Sequence, residues 1–304
     1  MSRIHDALRK AQKERETTLQ KFQGNITTIP ADEEMGSIES ASTGATEQVS
    51  EAEAKSAEEF IRFDQLRSRC AKHVWKMNPA LLAFARNNNP NAGAEQFRGL
   101  RSRLYLVREN KAFRSLLVTS ATAGDGKTYV ASNLAQAIAW QSDRRVLMID
   151  ADLRNSNLHK PFGAPLGPGL SDYLSGKATE FDVVQFGGLG NLCLIPGGTQ
   201  VSDPTELIAG ERFGKLIERM APVFEWIIVD SPPILPVSDA GILTRVCDSV
   251  LLVIGAGTTG VEVAQRACQE MREKNLLGVV LNRAENAQAY SGQYPYNQAK
   301  ETTV

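Results

Sequence analysis

Ser115-Leu116-Leu117-Val118-Thr119-Ser120-Ala121-Thr122-Ala123-Gly124-Asp125-Gly126-Lys127-Thr128 is the stretch on which the fold turns. An apolar run of strand character enters a loop with two glycines and leaves it through Lys-Thr. A stretch of helical spacing then reaches Gln141. Strand, glycine loop, Lys-Thr and helix follow in the Walker A order, except that Ala121 stands where the first glycine usually sits. The residue types fit phosphate chemistry. Gly124 and Gly126 let backbone amides curl around phosphate oxygens, and Lys127 brings positive charge to the β and γ phosphates. Thr128 offers a hydroxyl to Mg²⁺, and the new helix points its positive end at the anion. A plain glycine turn between strand and helix is the alternative, but it does not require Lys-Thr at that point.

Outward from this loop, apolar runs alternate with helical patterns. The runs are 115–119, 145–149, 191–195, 226–229, 249–254 and 277–281; the helical patterns include 128–141, 204–220 and 260–274. Runs that are apolar throughout, rather than alternating, are typical of strands covered on both faces. The pattern predicts an α/β fold: a mainly parallel sheet with helices on both faces, of P-loop NTPase type. Five segments are expected: a basic amphipathic helix over 1–16, a disordered acidic linker over 17–57, a helical lead-in over 58–90, the P-loop domain over 91–284, and a flexible tail over 285–304. In the lead-in, Phe60, Leu66 and Trp75 are candidate anchors.

Two of the strand runs end in acids. Val146-Leu147-Met148-Ile149 leads into Asp150-Ala151-Asp152-Leu153-Arg154, and Trp226-Ile227-Ile228-Val229 into Asp230-Ser231-Pro232-Pro233. Ligands of open parallel sheets bind at the carboxyl ends of the strands, so these carboxylates should share an edge with the P-loop. Thr128, Asp152 and Asp230 are the candidate Mg²⁺ ligands, directly or through water. Any one of these aspartates alone could be a helix cap. A second glycine run, Gly255-Ala256-Gly257-Thr258-Thr259-Gly260, formally meets the dinucleotide fingerprint. The following strand ends in Asn282-Arg283, where an NAD site wants an acid, so a structural strand-to-helix turn is expected instead.

A net charge of −1 with 42% hydrophobic residues is not that of a polycationic nucleic-acid binder, and no nucleic-acid partner is expected. Cys70, Cys193, Cys247 and Cys268 form no Cys-x-x-Cys pair, which argues for reduced thiols in a cytoplasmic setting. No stretch approaches the roughly 20 apolar residues of a membrane-spanning helix.

The motifs together resemble the bacterial protein tyrosine autokinases of capsule and exopolysaccharide synthesis, over about residues 78–282. The family's Gly-Glu/Asp-Gly-Lys-Ser/Thr is matched by Gly124 to Thr128, its Asp-x-Asp-x-Arg by Asp150, Asp152 and Arg154, and its Asp-x-Pro-Pro by Asp230, Pro232 and Pro233. Its ring-forming Glu-x-x-Arg-x-x-Arg is matched by Glu95, Arg98 and Arg101; without the family, a solvated helix face would explain those charges. Partition and cell-division ATPases share the fold but carry an extra lysine where Thr122 stands here.

The resemblance implies transfer of the ATP γ-phosphoryl to tyrosines of the tail, Tyr290, Tyr294 and Tyr296, between subunits of a ring. Ala123, Gly124, Asp125, Gly126, Lys127, Thr128, Tyr129 and Asn282 would bind nucleotide. Lys127, Asp150 and Asp152 would be catalytic, with Asp150 preferred over Asp152 as base. Arg154 is expected to bind phosphate or a neighbour. The implied partners are a second copy of the chain, a separate membrane polysaccharide co-polymerase and a cognate tyrosine phosphatase, with the protein recruited to the inner face of the plasma membrane. The alternative is a nucleotide-dependent scaffold ATPase of the export machinery, favoured by Ala121 and the sparse tyrosines.

Overall fold

A computed structural model describes residues 61–84, 92–272 and 274–284. The expected helix over 1–16, the linker over 17–57 and the tail over 285–304, with Tyr290, Tyr294 and Tyr296, lie outside the described residues.

The sheet has eight strands: β1 (Ala71–Lys72), β2 (Ser115–Ser120), β3 (Val146–Asp150), β4 (Gln185–Phe186), β5 (Leu192–Ile195), β6 (Trp226–Asp230), β7 (Ser249–Gly255) and β8 (Leu276–Asn282). Their order is β1-β4-β5-β3-β6-β2-β7-β8, and β4 against β5 is the antiparallel pair; all other neighbours run parallel. Along β2, β3 and β6 successive residues enter opposite faces. Leu117, Leu147, Ile149, Ile227 and Val229 join one core, while Leu116, Val118, Val146, Met148, Trp226 and Ile228 join the other. Double-sided burial accounts for the unbroken apolar runs.

Helix α1 (Phe63–Arg69) precedes β1, and α2 (Ala92–Asn110) precedes β2. Among the described residues of the lead-in, which do not include Phe60, α1 is the one helix and is followed by strand β1 of the sheet. Leu66 and Trp75 are buried. After the P-loop, α3 (Lys127–Ala139) packs Val130, Leu134, Ala135 and Ile138 into the second core. Four short helices follow: α4 (His159–Phe162), α5 (Leu170–Leu174), α6 (Glu180–Val183) and α7 (Pro204–Ala209). The helix expected over 204–220 is two helices, α7 and α8 (Glu211–Met220), because Gly210 is extended (φ −68°, ψ 158°) and serves as the end of one and the start of the other. The remaining helices are α9 (Asp239–Leu243) and α10 (Val261–Met271).

One expectation is corrected at the sheet edge. The run forming β8 reads as covered on both sides, yet Val279 and Leu281 are 49% and 60% exposed: among the described residues β8 is the edge strand, and these two residues, two apart, point to a face left open to solvent. The two-residue strands β1 and β4 are too short to leave a period in the sequence. Cys70, Cys193 and Cys247 are buried free thiols, and burial raises their pKa and so disfavours the thiolate.

Topology fixes where a ligand fits. From β2 the chain moves by α3 toward β3, on one side, and from β7 by α10 to β8, on the other. Helix α3 belongs to the second core and α10, through Ala267 and Met271, to the first. The helices thus leave adjacent strands on opposite faces, which opens a crevice at the carboxyl ends of β2 and β7. Truncating a residue at the centre of this sheet should be costly: Leu147→Ala is expected to lower unfolding free energy by about 2–5 kcal/mol, measured by urea denaturation.

Candidate active site

The P-loop takes its shape from two left-handed glycines, Gly124 (φ +90°) and Gly126 (φ +96°). A Cβ at Gly126 would also overlap the Asn282 amide nitrogen. Gly126 begins α3 without a side-chain cap, and the first turn holds no acid. The amides at that helix start are therefore left to an external anion, to which the helix dipole adds its pull. Ala121 is fully buried in the first core, with its amide donating to Val253 O at 3.4 Å. Its methyl is accommodated by packing, so the missing glycine leaves the cradle formed by Gly124 and Gly126 untouched.

At the base of the loop, Lys127 Nζ lies 2.7 Å from Asp152 Oδ2 and 4.0 Å from Asp230 Oδ1. Thr128 Oγ1 donates to Asp230 Oδ2 at 2.6 Å. The sheet puts the carboxylates there: Asp150 and Asp230 are register partners at the ends of β3 and β6. Asp150 is fully buried and accepts from Ser156 Oγ (2.6 Å), Leu158 N (3.0 Å) and Asp152 N (3.2 Å). Asp152 Oδ1 accepts from Asn155 N at 3.1 Å.

Burial, reinforced by the Asp230 charge, raises the Asp150 pKa to about 7 against its hydrogen bonds from Ser156 and Leu158. Burial likewise raises Asp230, to about 6, although Lys127 and Thr128 oppose the shift. For Lys127, burial disfavours the charge, but Asp230 and Asp152 outweigh it and lift the pKa above the usual lysine value. Asp230 Oδ1 is buried without a hydrogen-bond partner. A buried carboxylate oxygen left open beside a hydroxyl and two further acids fits a hard divalent cation. Among the described residues no three His, Cys, Asp or Glu side chains form a metal cage by themselves. Such an ion would draw on water and ligand oxygens as well, as Mg²⁺ commonly does.

The remaining expected residues are distributed unevenly. Ala123 and Gly124 are exposed at the loop, whereas Asp125 is buried with its carboxylate toward β7. The Tyr129 ring packs edge-on against Phe97 of α2, with centroids 5.7 Å apart, which leaves its backbone as the part near the helix start. Asn282 Nδ2 donates to Asp125 O at 2.8 Å and so touches the loop itself. Glu95 and Arg98 pair at 2.9 Å on the exposed side of α2, but Arg101 donates to Ala137 O at 2.6 Å near the end of α3.

Arg154 has partners within the chain. Its guanidinium grips Asp239 through Nε (2.7 Å) and Nη2 (3.1 Å) and also donates to Thr205 Oγ1 (2.7 Å). Within the chain it therefore ties the loop after β3 to α7 and α9. Asp239 and Thr205, like Ser156, carry no motif and were not legible as partners of the site.

This geometry is that of a P-loop nucleotide-binding protein. The family model of the CobQ/CobB/MinD/ParA nucleotide binding domain matches residues 116–301. Tyrosine-protein kinase Etk of Escherichia coli K12 is 35% identical over 236 residues, 76% of this chain and 32% of its own length. The chain thus spans about a third of that relative. Tyrosine-protein kinase CpsD of Streptococcus agalactiae is 34% identical over 204 residues, 66% of this chain and 87% of its own. The solved kinase domain of Escherichia coli Etk superposes with a TM-score of 0.65 at 35% identity, covering 74% of this chain and 88% of that one. The chain belongs to the CobQ/CobB/MinD/ParA nucleotide-binding family and, within it, to the bacterial tyrosine-protein kinases.

The raised carboxylates predict a pH dependence. A pKa raised on folding favours the folded state below the unfolded value, near 3.8, and that stability is lost as pH rises through the folded values, about 6 and 7. Without metal or nucleotide, stability should fall by a few kcal/mol between pH 4 and 8 from this source. Asp150→Asn should flatten much of that fall in urea titrations across the same range.

Proposed function

We propose that the chain is an ATP-dependent protein tyrosine autokinase acting in capsule or exopolysaccharide synthesis and export. The observation that carries the reading is the pairing of Lys127 with Asp152, and of Thr128 with Asp230, directly beneath an uncapped P-loop helix. ATP would lie with its phosphates against the amides of residues 123–129, its β and γ phosphates drawing Lys127 away from Asp152. Mg²⁺, held by Thr128, Asp230 and Asp152, would neutralise charge on the phosphates. Asn282, at the end of β8, would border the nucleotide.

In the transfer, the phenolic oxygen of a tyrosine bonds to Pγ and the bond from Pγ to the β-γ bridging oxygen breaks, releasing ADP. The phenolic proton passes to Asp150, reached through the half-buried Ser156 hydroxyl. A carboxylate with a near-neutral pKa suits that role, whereas Asp152 is assigned to Mg²⁺. Lys127 and the loop amides stabilise the charge that shifts toward the leaving group.

The acceptors are Tyr290, Tyr294 and Tyr296 of a neighbouring copy. β8 runs parallel to β7 and ends on the catalytic edge, the side from which an acceptor tyrosine would have to approach. The exposed Glu95–Arg98 pair is the proposed ring contact, while Arg101 also braces α2 against α3. No helix among the described residues is long and apolar enough to cross a membrane. Recruitment to the inner face of the plasma membrane by a membrane polysaccharide co-polymerase, and reversal by a tyrosine phosphatase, complete the proposal. The scaffold alternative loses one of its supports, since Ala121 is a packing residue.

A Lys127→Met chain keeping all three tail tyrosines, mixed with an active chain carrying Tyr290→Phe, Tyr294→Phe and Tyr296→Phe, tests the direction of transfer. Phosphate is expected on the Lys127→Met chain, at a rate that rises with protein concentration. An unlabelled Lys127→Met chain, beside wild-type protein labelling itself at a concentration-independent rate, would make transfer intramolecular.

A further inference from the structure

The P-loop contains an acid, Asp125, in a place meant for polyanions. Its carboxylate is turned away from the cradle and is 1% exposed. Oδ2 accepts from Thr122 N at 2.9 Å and from Thr122 Oγ1 at 3.4 Å, which closes the loop on itself. Oδ1 reaches across the crevice, where it accepts from Gly255 N at 3.1 Å and from the Thr259 hydroxyl. The backbone oxygen of the same residue accepts from Asn282. One residue is thereby held by the ends of β7 and β8 and by the turn entering α10. Gly255 must lack a side chain, because a Cβ there would overlap Thr258 Oγ1 and crowd Asp125 Oδ1 at 2.9 Å. The glycine-rich run 255–260, which resembles a dinucleotide fingerprint, is shaped by this grip.

The crevice between β2 and β7 is where the fold would otherwise leave the loop free to splay. We propose that Asp125 and Thr259 are positioning residues: the Asp125 carboxylate, clasped by Gly255 N and the Thr259 hydroxyl, holds the P-loop amides in their phosphate-accepting arrangement before nucleotide arrives. The clasp spares the loop the ordering cost of closing on its ligand, so its contribution is read as affinity for nucleotide. The inference rests on the reading of this loop as the nucleotide site.

Thr259→Val removes the hydroxyl at nearly constant volume, Thr259→Ser restores it, and Asp125→Asn replaces one acceptor with a donor. Affinities for ATP with Mg²⁺ are measured by calorimetry on the full-length chain, with hydrogen exchange at P-loop amides and thermal melts without nucleotide. Thr259→Val is expected to weaken binding about tenfold and Asp125→Asn by more, with faster P-loop exchange, while Thr259→Ser binds as wild type. The double variant should lose less than the product of the two single losses, since both break one clasp. A merely structural role would lower the melting temperature without moving affinity or local exchange in Thr259→Val. Affinities within twofold of wild type for Thr259→Val, or additive losses in the double variant, would overturn the proposal. A wild-type chain that binds no nucleotide would instead overturn the reading of the site, and the clasp's function with it.

Discussion

Three carboxylates at adjacent strand ends, with one lysine reaching between them, are the constraint on which the structure depends. Asp150, Asp152 and Asp230 are nearly inaccessible to solvent, and burying charge of one sign is costly unless it is compensated. Lys127 offsets part of that charge, Thr128 and Ser156 supply hydrogen bonds, and the remainder appears as raised proton affinity on Asp150 and Asp230. A site of this kind favours a ligand that brings cations with it and gives Lys127 a new partner. MgATP does both.

The sheet supplies the geometry for that cluster. Parallel pairing of β3 with β6 puts Asp150 beside Asp230, and pairing of β6 with β2 carries Asp230 under the P-loop. Around it, loops are fastened by pairwise grips as well as by packing of Ala121, Ala151 and Leu158 into the cores. Arg154 holds Asp239 on one side and Asp125 holds the turn after β7 on the other. The anchored loops leave the exposed tip at Ala123 and Gly124 as the part free to meet phosphate.

Much of this was legible because each feature leaves a local mark. Six strands are written as apolar runs, five of them buried on both faces, and Lys127, Thr128, Asp150, Asp152 and Asp230 sit in motifs whose spacing follows from strand-end geometry. Contacts between distant segments left no such mark. Nothing adjacent to Arg154 announces Asp239 eighty-five residues later. Nothing in Gly255 to Gly260 announces that the run serves Asp125 rather than a dinucleotide. Arg101 shares its helix side with Glu95 and Arg98 in the sequence pattern, but a carbonyl near the end of α3 claims it. The outward-facing residues of β8 read as core because an edge strand and a central strand of equal hydropathy look alike until the sheet order is known.

The central claim is that this buried cluster serves phosphoryl transfer to tyrosine. The most direct measurement incubates the wild-type chain with γ-labelled ATP and Mg²⁺, then maps the label by peptide and residue. Acid-stable phosphate on Tyr290, Tyr294 or Tyr296 is the predicted result. Nucleotide bound, or hydrolysed, with no phosphotyrosine anywhere in the chain would contradict it.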